Sequence, residues 1–320
     1  FMYVYIRQAK GKEELLEKGK GKFSFFKSLF LWYKMKRGWI KEIPFHENKI
    51  YILPIWEGKE ISFKTMQKIR QNLENLLVKD MVKTVALSSY VSKIDTLKND
   101  LYRQNKTVLD GRTLFSSMIL ETLEYIAEKQ NTIIEKEDVY VLVNDASSFH
   151  LDNLKLMAQK VRNLYIITNH IEKFQSLEEY LYHNMGIIIN IANNKKKSLR
   201  KAKWIVNFDF PEELLEKYNL CKTAILMNIE EKIEMKHKIF NGALVNMLEI
   251  KLPEEIENYF KEEDLTTFFS PTILYESLVI KYGKLEGIRN QLKKDTISIS
   301  CLIGNKGKLS KEEYTRVMER

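Results

Sequence analysis

The chain has 320 residues, of which 44% are hydrophobic and 30% are charged, with only 12 glycines and 5 prolines. This composition predicts a globular protein with a sizeable core and excludes gross disorder. Two distant cysteines, Cys221 and Cys301, exclude a disulfide framework and a cysteine-based metal site, so we expect a cytoplasmic protein. We also expect no membrane span and no cleavable signal, because no apolar run approaches the roughly 18 residues that a span needs.

The net charge of +9 is concentrated near the N-terminus. Residues 1–41 contain eleven basic and three acidic residues, and the rest of the chain is close to neutral. The basic isoelectric point is therefore no argument that the whole chain binds nucleic acid.

The first predicted domain covers residues 1–130 and has an α/β pattern. Alternating or β-branched runs predict strands, and apolar residues at helical spacing predict helices. We expect strands at 2–6, 50–55, 83–88 and 107–109, and helices at 61–78, 94–102 and 112–129.

Within this domain, segment 18–41 is both basic and aromatic. A helix predicted over 22–37 has aromatic side chains on most sides and ends at Gly38. Lysines recur every seven residues and form one basic stripe on such a helix: Lys20, Lys27, Lys34 and Lys41. Three interpretations stay open: a buried helix whose lysines extend to solvent, a membrane-surface helix, and a nucleic-acid contact with stacking rings.

The second predicted domain covers residues 131–250, where short apolar runs alternate with helix-sized segments. This alternation predicts parallel strands with crossover helices, a Rossmann-like doubly wound sheet. The strands are expected at 139–143, 164–168, 187–191, 204–208 and 223–227, and one more is expected within 241–250.

The remaining residues, 251–320, are predicted to pack back on both domains. Helices are expected to begin at Pro253 and Pro271. Residues 297–303 alternate cleanly and predict a strand, with a hairpin turn at 304–308.

Polar residues follow the strands of the predicted second sheet, where open α/β sheets bind ligands. Asparagines occur at all five ends: Asn144, Asn169, Asn190, Asn207 and Asn228. They also cap helices and turns readily, so a purely structural role stays an alternative.

The loop after the first strand lacks the glycines of a dinucleotide-binding loop. Residues 144–151 read NDASSFHL, and the second strand ends in Thr168-Asn169 without the acidic residue that holds a ribose. We therefore expect no NAD(P) and no other cofactor.

Other groups at this edge offer substitutes for binding an anion. Ser147 and Ser148 present hydroxyls and helix N–H groups, and a run of lysines follows the third strand: Lys195, Lys196 and Lys197. A solvated loop is the structural alternative for such a run.

Candidate catalytic groups are few. Asp145 and His150 lie five residues apart across the loop and are candidates for an acid/base pair, and Asp110 is a third candidate. No histidine pair or carboxylate motif predicts a metal site.

The order of elements is similar to that of the two-domain shikimate-dehydrogenase and amino-acid-dehydrogenase-like proteins. The similarity covers about residues 45–292 and is centred on TVLDG (107–111), which resembles the Asn-Thr-Asp-x-x-Gly motif of that family before its linking helix. It implies a substrate cleft between domains and a nicotinamide cofactor on the second. Asp110 matches the aspartate of the motif, the preceding Asn-Thr pair is absent, and Lys93 corresponds to the catalytic lysine by location alone.

Three functions follow as hypotheses. The first is a degenerate Rossmann-like protein that binds a small anionic ligand or a protein partner without conventional NAD(P) redox chemistry. The second is a nucleotide-dependent oxidoreductase, and the third is a protein that binds nucleic acid or a membrane surface through segment 18–41. Whether the protein is an enzyme stays open at this point.

Overall fold

The computed structural model of the protein describes residues 3–15, 32–58, 60–218, 220–236, 240–310 and 312–313. The chain forms two compact units, each built from two stretches. The first contains Phe1–Asp110 and Glu254–Lys281, and the second contains Gly111–Pro253 and Tyr282–Arg320. The sequence predicted domain boundaries after residues 130 and 250. The observed units instead group residues 111–130 with the second sheet and divide the C-terminal segment between both units.

The first unit is built on a five-stranded sheet with the order β2-β3-β1-β4-β5. All neighbours are parallel except the β2–β3 hairpin. The strands are β1 (Tyr3–Gln8), β2 (Lys41–Phe45), β3 (Asn48–Leu53), β4 (Thr84–Leu87) and β5 (Thr107–Leu109).

Strand β2 was not predicted. It contains Pro44, which is tolerated because β2 is an edge strand. The chain leaves the preceding helical turn at Gly38 and enters β2 at Lys41, so segment 18–41 does not form one helix through to its last lysine. Lys20 and Lys27 lie outside the described residues.

Helices cover the sheet of the first unit. The chain supplies Phe63–Lys79, capped by the hydroxyl of Ser62, and Asp95–Arg103. The C-terminal stretch adds Glu254–Lys261, Leu265–Phe268 and Pro271–Val279. That stretch is fastened to β1, because the Tyr5 hydroxyl is 2.7 Å from the Ser277 hydroxyl.

The second unit contains a six-stranded, fully parallel sheet with the order β11-β10-β9-β6-β7-β8. The chain runs from β6 outward to β8, then returns beside β6 and runs outward again to β11. This order confirms the predicted Rossmann-like α/β class. The strands are β6 (Asp138–Leu142), β7 (Asn163–Ile167), β8 (Asn190–Ala192), β9 (Trp204–Asn207), β10 (Ile225–Asn228) and β11 (Ala243–Val245).

The first helical stretch of the second unit was predicted as one helix over residues 112–129, but it consists of two helices. Arg112–Ser117 and Ile119–Lys129 are separate because Met118 leaves the helical region, with φ −112° and ψ 23°. The others are Ser148–Ala158, Gln175–Met185, Lys195–Leu199, Glu212–Leu215 and Leu285–Lys294.

A small antiparallel sheet completes this unit. It consists of β12 (Met247–Lys251), β13 (Ser298–Gly304) and β14 (Gly307–Lys308). The strand expected at 297–303 and its following hairpin are therefore confirmed. Within the described ranges, no helix combines the length and apolarity that crossing a bilayer requires.

Candidate functional site

The candidate site is the carboxyl edge of the six-stranded sheet, where β6 and β9 are neighbours. The chain reverses its direction of winding between these two strands, and such a switch point opens the crevice in which doubly wound sheets bind ligands. The loop after β6 leads into the Ser148–Ala158 helix. Ser147 caps that helix, since its hydroxyl accepts a hydrogen bond from the His150 N–H at 3.3 Å.

A carboxylate of the protein itself occupies the backbone N–H groups of this loop. Asp209, two residues beyond the end of β9, accepts hydrogen bonds from Asn144 N at 2.8 and 2.9 Å and from Asp145 N at 2.7 Å. In nucleotide-binding Rossmann folds this loop and the following helix N-terminus receive the phosphates. Here an internal anion uses those donors.

Asp209 was not among the predicted ligand-binding residues. Its position two residues after a buried strand was the available signal, because the ends of parallel strands meet at one edge. Sequence separation hid the contact, since Asp145 and Asp209 are 64 positions apart in the chain.

The candidate pair Asp145 and His150 lies in the same cluster. The Nδ1 atom of His150 is 2.9 Å from the Asp145 carbonyl oxygen and 3.7 Å from its carboxylate. The Nε2 atom is 3.0 Å from the carboxylate of Glu230, and the ring packs on Phe208 with centroids 4.6 Å apart. Because both ring nitrogens face acceptors, the doubly protonated imidazolium suits this site best.

Opposing effects set the pKa values in this cluster. Burial lowers the pKa of His150, but the hydrogen bonds to Glu230 and Asp145 and the nearby carboxylates raise it above the ordinary value. Burial also raises the pKa of Asp209, only partly offset by its two backbone N–H donors. The ring of His150 thus lies near three carboxyl groups, and those of Asp145 and Glu230 favour its protonated form.

This arrangement predicts a pH-dependent stability. The folded state raises the pKa of His150, so its contribution is fully present below about pH 6.5 and is lost as the pH rises through the folded-state pKa. We expect the wild-type melting temperature to fall more steeply between about pH 6 and 9 than that of His150→Gln. Thermal melts at successive pH values check this.

His170→Gln is the matched control for that experiment, because 47% of the His170 side chain is exposed. It should keep the wild-type profile. Parallel profiles for wild type and His150→Gln would contradict the expectation.

The other half of the edge is basic. The Asn144 side-chain oxygen accepts from Asn169 N at 2.9 Å and so joins the ends of β6 and β7. Lys173 points its ammonium at the Asn144 carbonyl, 3.4 Å away. The ammonium of Lys195 lies 3.3 Å from the Thr168 carbonyl and 3.1 Å from that of Asn193, and burial lowers its pKa.

The structure therefore brings Asn144, Asn169 and Lys195 together as predicted neighbours, and adds Lys173, which was missed. Lys197 is exposed on the short Lys195–Leu199 helix, and the side chain of Lys196 lies outside the described part of the chain. A ligand role for these residues stays a prediction.

Three of the five asparagines at strand ends are placed differently from what was expected: Asn190, Asn207 and the fully buried Asn228. Asn190 begins β8 instead of closing it, because the apolar residues before it precede the strand. Asn207 is 2% exposed and its amide is used internally: it donates to Phe210 O at 2.9 Å and to Asn228 Oδ1 at 3.2 Å.

The network continues across the sheet. Asn228 donates to Asn246 Oδ1 at 3.1 Å, and Asn246 accepts from and donates to the backbone of Ile233. Arg112 donates to three carbonyl oxygens at the same strand ends, those of Asn228, Ile229 and Asn246. These amides tie β9, β10 and β11 together, which is the structural role that the sequence left as an alternative.

The remaining candidates lie in the first unit. Asp110 is exposed directly after β5, and Lys93 ends a 3-10 turn at Val91–Lys93. Lys34 lies on a helical turn, whereas Lys41 is in β2 and donates to the Glu14 carbonyl at 2.8 Å. In the described portion of the chain, no three His, Cys, Asp or Glu side chains are placed to hold a metal ion.

No family model matches the chain, and no curated protein matches it. Among solved structures, HcgC from Methanococcus maripaludis, cocrystallized with SAH and pyridinol, is 16% identical with a TM-score of 0.23. That match covers 40% of this chain and 46% of HcgC, so the chain spans about half of that protein. L-tryptophan dehydrogenase from Nostoc punctiforme is 9% identical with a TM-score of 0.31, over 91% of this chain and 80% of the enzyme. At these values neither likeness assigns the chain to a family.

Proposed function

We propose that the second unit binds a small anionic ligand, or an anionic group of a protein partner, at the basic half of its carboxyl edge, without conventional NAD(P) chemistry. The observation that carries the proposal is the Asp209 carboxylate on the N–H groups of Asn144 and Asp145. A diphosphate on this loop would have to displace that carboxylate, and close approach would bring like charges together.

The loop also lacks room for a diphosphate. It carries side chains where a dinucleotide-binding loop has glycines, so the backbone cannot approach a pyrophosphate closely. Charge and shape therefore argue together against the oxidoreductase hypothesis.

The basic half has the opposite character. The ammonium groups of Lys173 and Lys195 converge on the ends of β6 and β7, where carbonyl oxygens accept their hydrogen bonds. Partial burial disfavours the charge of Lys195, and a bound carboxylate or phosphate would stabilise it. An anion is thus the ligand class that this half of the edge fits best.

The test is a thermal-shift and calorimetric titration of the whole protein with NAD⁺, NADP⁺, inorganic phosphate and malonate. We expect no shift with either dinucleotide and stabilisation by phosphate or malonate at millimolar concentration. The double variant Lys173→Gln/Lys195→Gln should lose at least tenfold in anion affinity.

Lys217→Gln/Lys222→Gln is the matched control, since both lysines are exposed in the same unit. It should bind anions like wild type. Saturable binding of NAD⁺ or NADP⁺, or equal anion binding by both double variants, would refute the proposed function.

A further inference from the structure

We propose that the first unit carries a separate site for single-stranded nucleic acid, built from the residues 32–39 and the neighbouring β2 and Phe63–Lys79 helix. The site is a cavity of about 590 Å³, here called the aromatic groove, whose lining includes Tyr33, Lys34, Arg37, Trp39, Glu42 and Asn75. It is independent of the anion site in the second unit.

Three aromatic rings of residues 32–39 are each paired with a cation of the same segment, and two of these rings, Tyr33 and Trp39, line the groove. The Lys36 ammonium lies 3.8 Å from the Trp32 ring centroid, the Arg37 guanidinium 4.3 Å from that of Tyr33, and the Lys34 ammonium 4.2 Å from that of Trp39. The first two pairs follow from helical spacing, because residues four apart lie one above the other. An aromatic ring can stack on a nucleic-acid base while the neighbouring cation binds the phosphate of the same nucleotide.

The rings are also accessible. Trp32 is 51% exposed and Tyr33 is 47% exposed, although large aromatic side chains are usually buried. A helix buried in the core, the structural interpretation of segment 18–41, therefore does not describe residues 32–37. Neighbouring exposed rings suit a single-stranded nucleic acid, which presents several bases in succession, whereas a mononucleotide needs only one ring.

The segment is held firmly against the Phe63–Lys79 helix. Gly38 has φ +67°, and a Cβ atom there would lie 2.6 Å from Ile69 N, so the turn packs directly on the helix backbone. Asn72 donates to the carbonyls of Arg37 and Gly38 at 2.9 and 2.8 Å. The rings are thus positioned before any ligand arrives, which reduces the entropy lost on binding.

Polar groups in the groove favour nucleic acid over a bilayer. Glu42 faces Lys49 at 3.5 Å and Lys79 at 4.0 Å, and its carboxylate and the Asn75 amide provide acceptors and donors for a base edge. A membrane-surface helix needs a protruding apolar face, and inserting a carboxylate into lipid is unfavourable. An open groove with mixed polarity suits the apolar face and polar edge of a base instead.

The experiment is fluorescence anisotropy of the 320-residue protein with labelled oligo(dT) and oligo(U), with anionic phosphatidylserine vesicles in parallel. We expect saturable oligonucleotide binding. The logarithm of the affinity should fall with the logarithm of the salt concentration at a slope of about −2, because three cations, Lys34, Lys36 and Arg37, would contact phosphates. Trp32→Ala and Lys34→Gln/Arg37→Gln should each weaken binding at least tenfold. Trp39→Ala is a third variant, and circular dichroism reports whether each one folds.

Tyr182→Ala and Lys293→Gln/Lys294→Gln are the matched controls, because they remove one exposed ring and two exposed charges from the second unit. Both should bind like wild type. The proposal is overturned by oligonucleotide binding that the groove variants leave unchanged, or by the absence of oligonucleotide binding at low salt. It is also overturned if the groove variants abolish binding to the vesicles but not to the oligonucleotides.

Discussion

Replacing Gly242 with alanine is expected to lower the free energy of unfolding by about 3 kcal/mol, near the upper end of what overpacking costs. Gly242 directly precedes β11, and a Cβ atom there would lie 1.9 Å from the Ala224 carbonyl oxygen and 2.6 Å from the Phe240 ring. That oxygen cannot move away cheaply, because it accepts the Ala243 N–H at 3.0 Å beside the pairing of β10 and β11.

Urea unfolding followed by circular dichroism measures the effect. Gly11→Ala is the control, since its nearest neighbour is the flexible end of Glu13 at 3.3 Å, and it should stay within about 0.5 kcal/mol of wild type. Equal urea midpoints for the two variants would contradict this expectation and would show that the backbone at Gly242 has room for a Cβ atom beside the Ala224 carbonyl oxygen.

Replacing Asn228 with leucine is expected to destabilise the protein by about 2–4 kcal/mol, because it removes two buried hydrogen bonds without removing their partners. Asn228 is fully buried, and its side chain links the amides of Asn207 and Asn246 across three neighbouring strands. Leucine has a similar shape and fills the space, so the loss reports on hydrogen bonding and not on a cavity.

The control is Asn184→Leu, an exposed position whose amide bonds only to the Tyr180 carbonyl at 3.0 Å among the described contacts. It should change stability by less than about 0.5 kcal/mol. An Asn228→Leu variant as stable as this control would mean that the asparagine network is dispensable, and its amides would then be available for a ligand.

Local patterns in the sequence were sufficient for the class of fold. Apolar runs of strand length, separated by helical periods, predict parallel strands with crossovers, and four of the six strands of the second sheet fall within two residues of the predicted positions. The stretch 241–250, predicted to contain one strand, contains β11 and most of β12. The third strand was displaced because the apolar residues 187–189 extend the run in front of β8. Strand β2 was missed because its short, charged sequence with Pro44 has no clear alternation.

The candidate site was predictable only in part. Asn144, Asn169 and Lys195 could be placed at one edge because parallel strands end together, and His150 could be placed near Asp145 because a single turn separates them. Asp209 and Glu230 could not be connected to this cluster from sequence, because both contacts depend on the strand order: Asp209 follows β9, the neighbour of β6, and Glu230 follows β10, the next strand.

The sequence by itself determined that the first loop of the second sheet has no glycine, because absence of a residue type can be read directly. It also determined that the positive charge is concentrated before residue 42. Only the tertiary structure decided what takes the place of a phosphate and which asparagines face inward. Both outcomes depend on side chains that are distant in the chain but lie together at one edge of the sheet. Which side chains lie together is set by the strand order, and the strand order depends on the packing of the whole sheet.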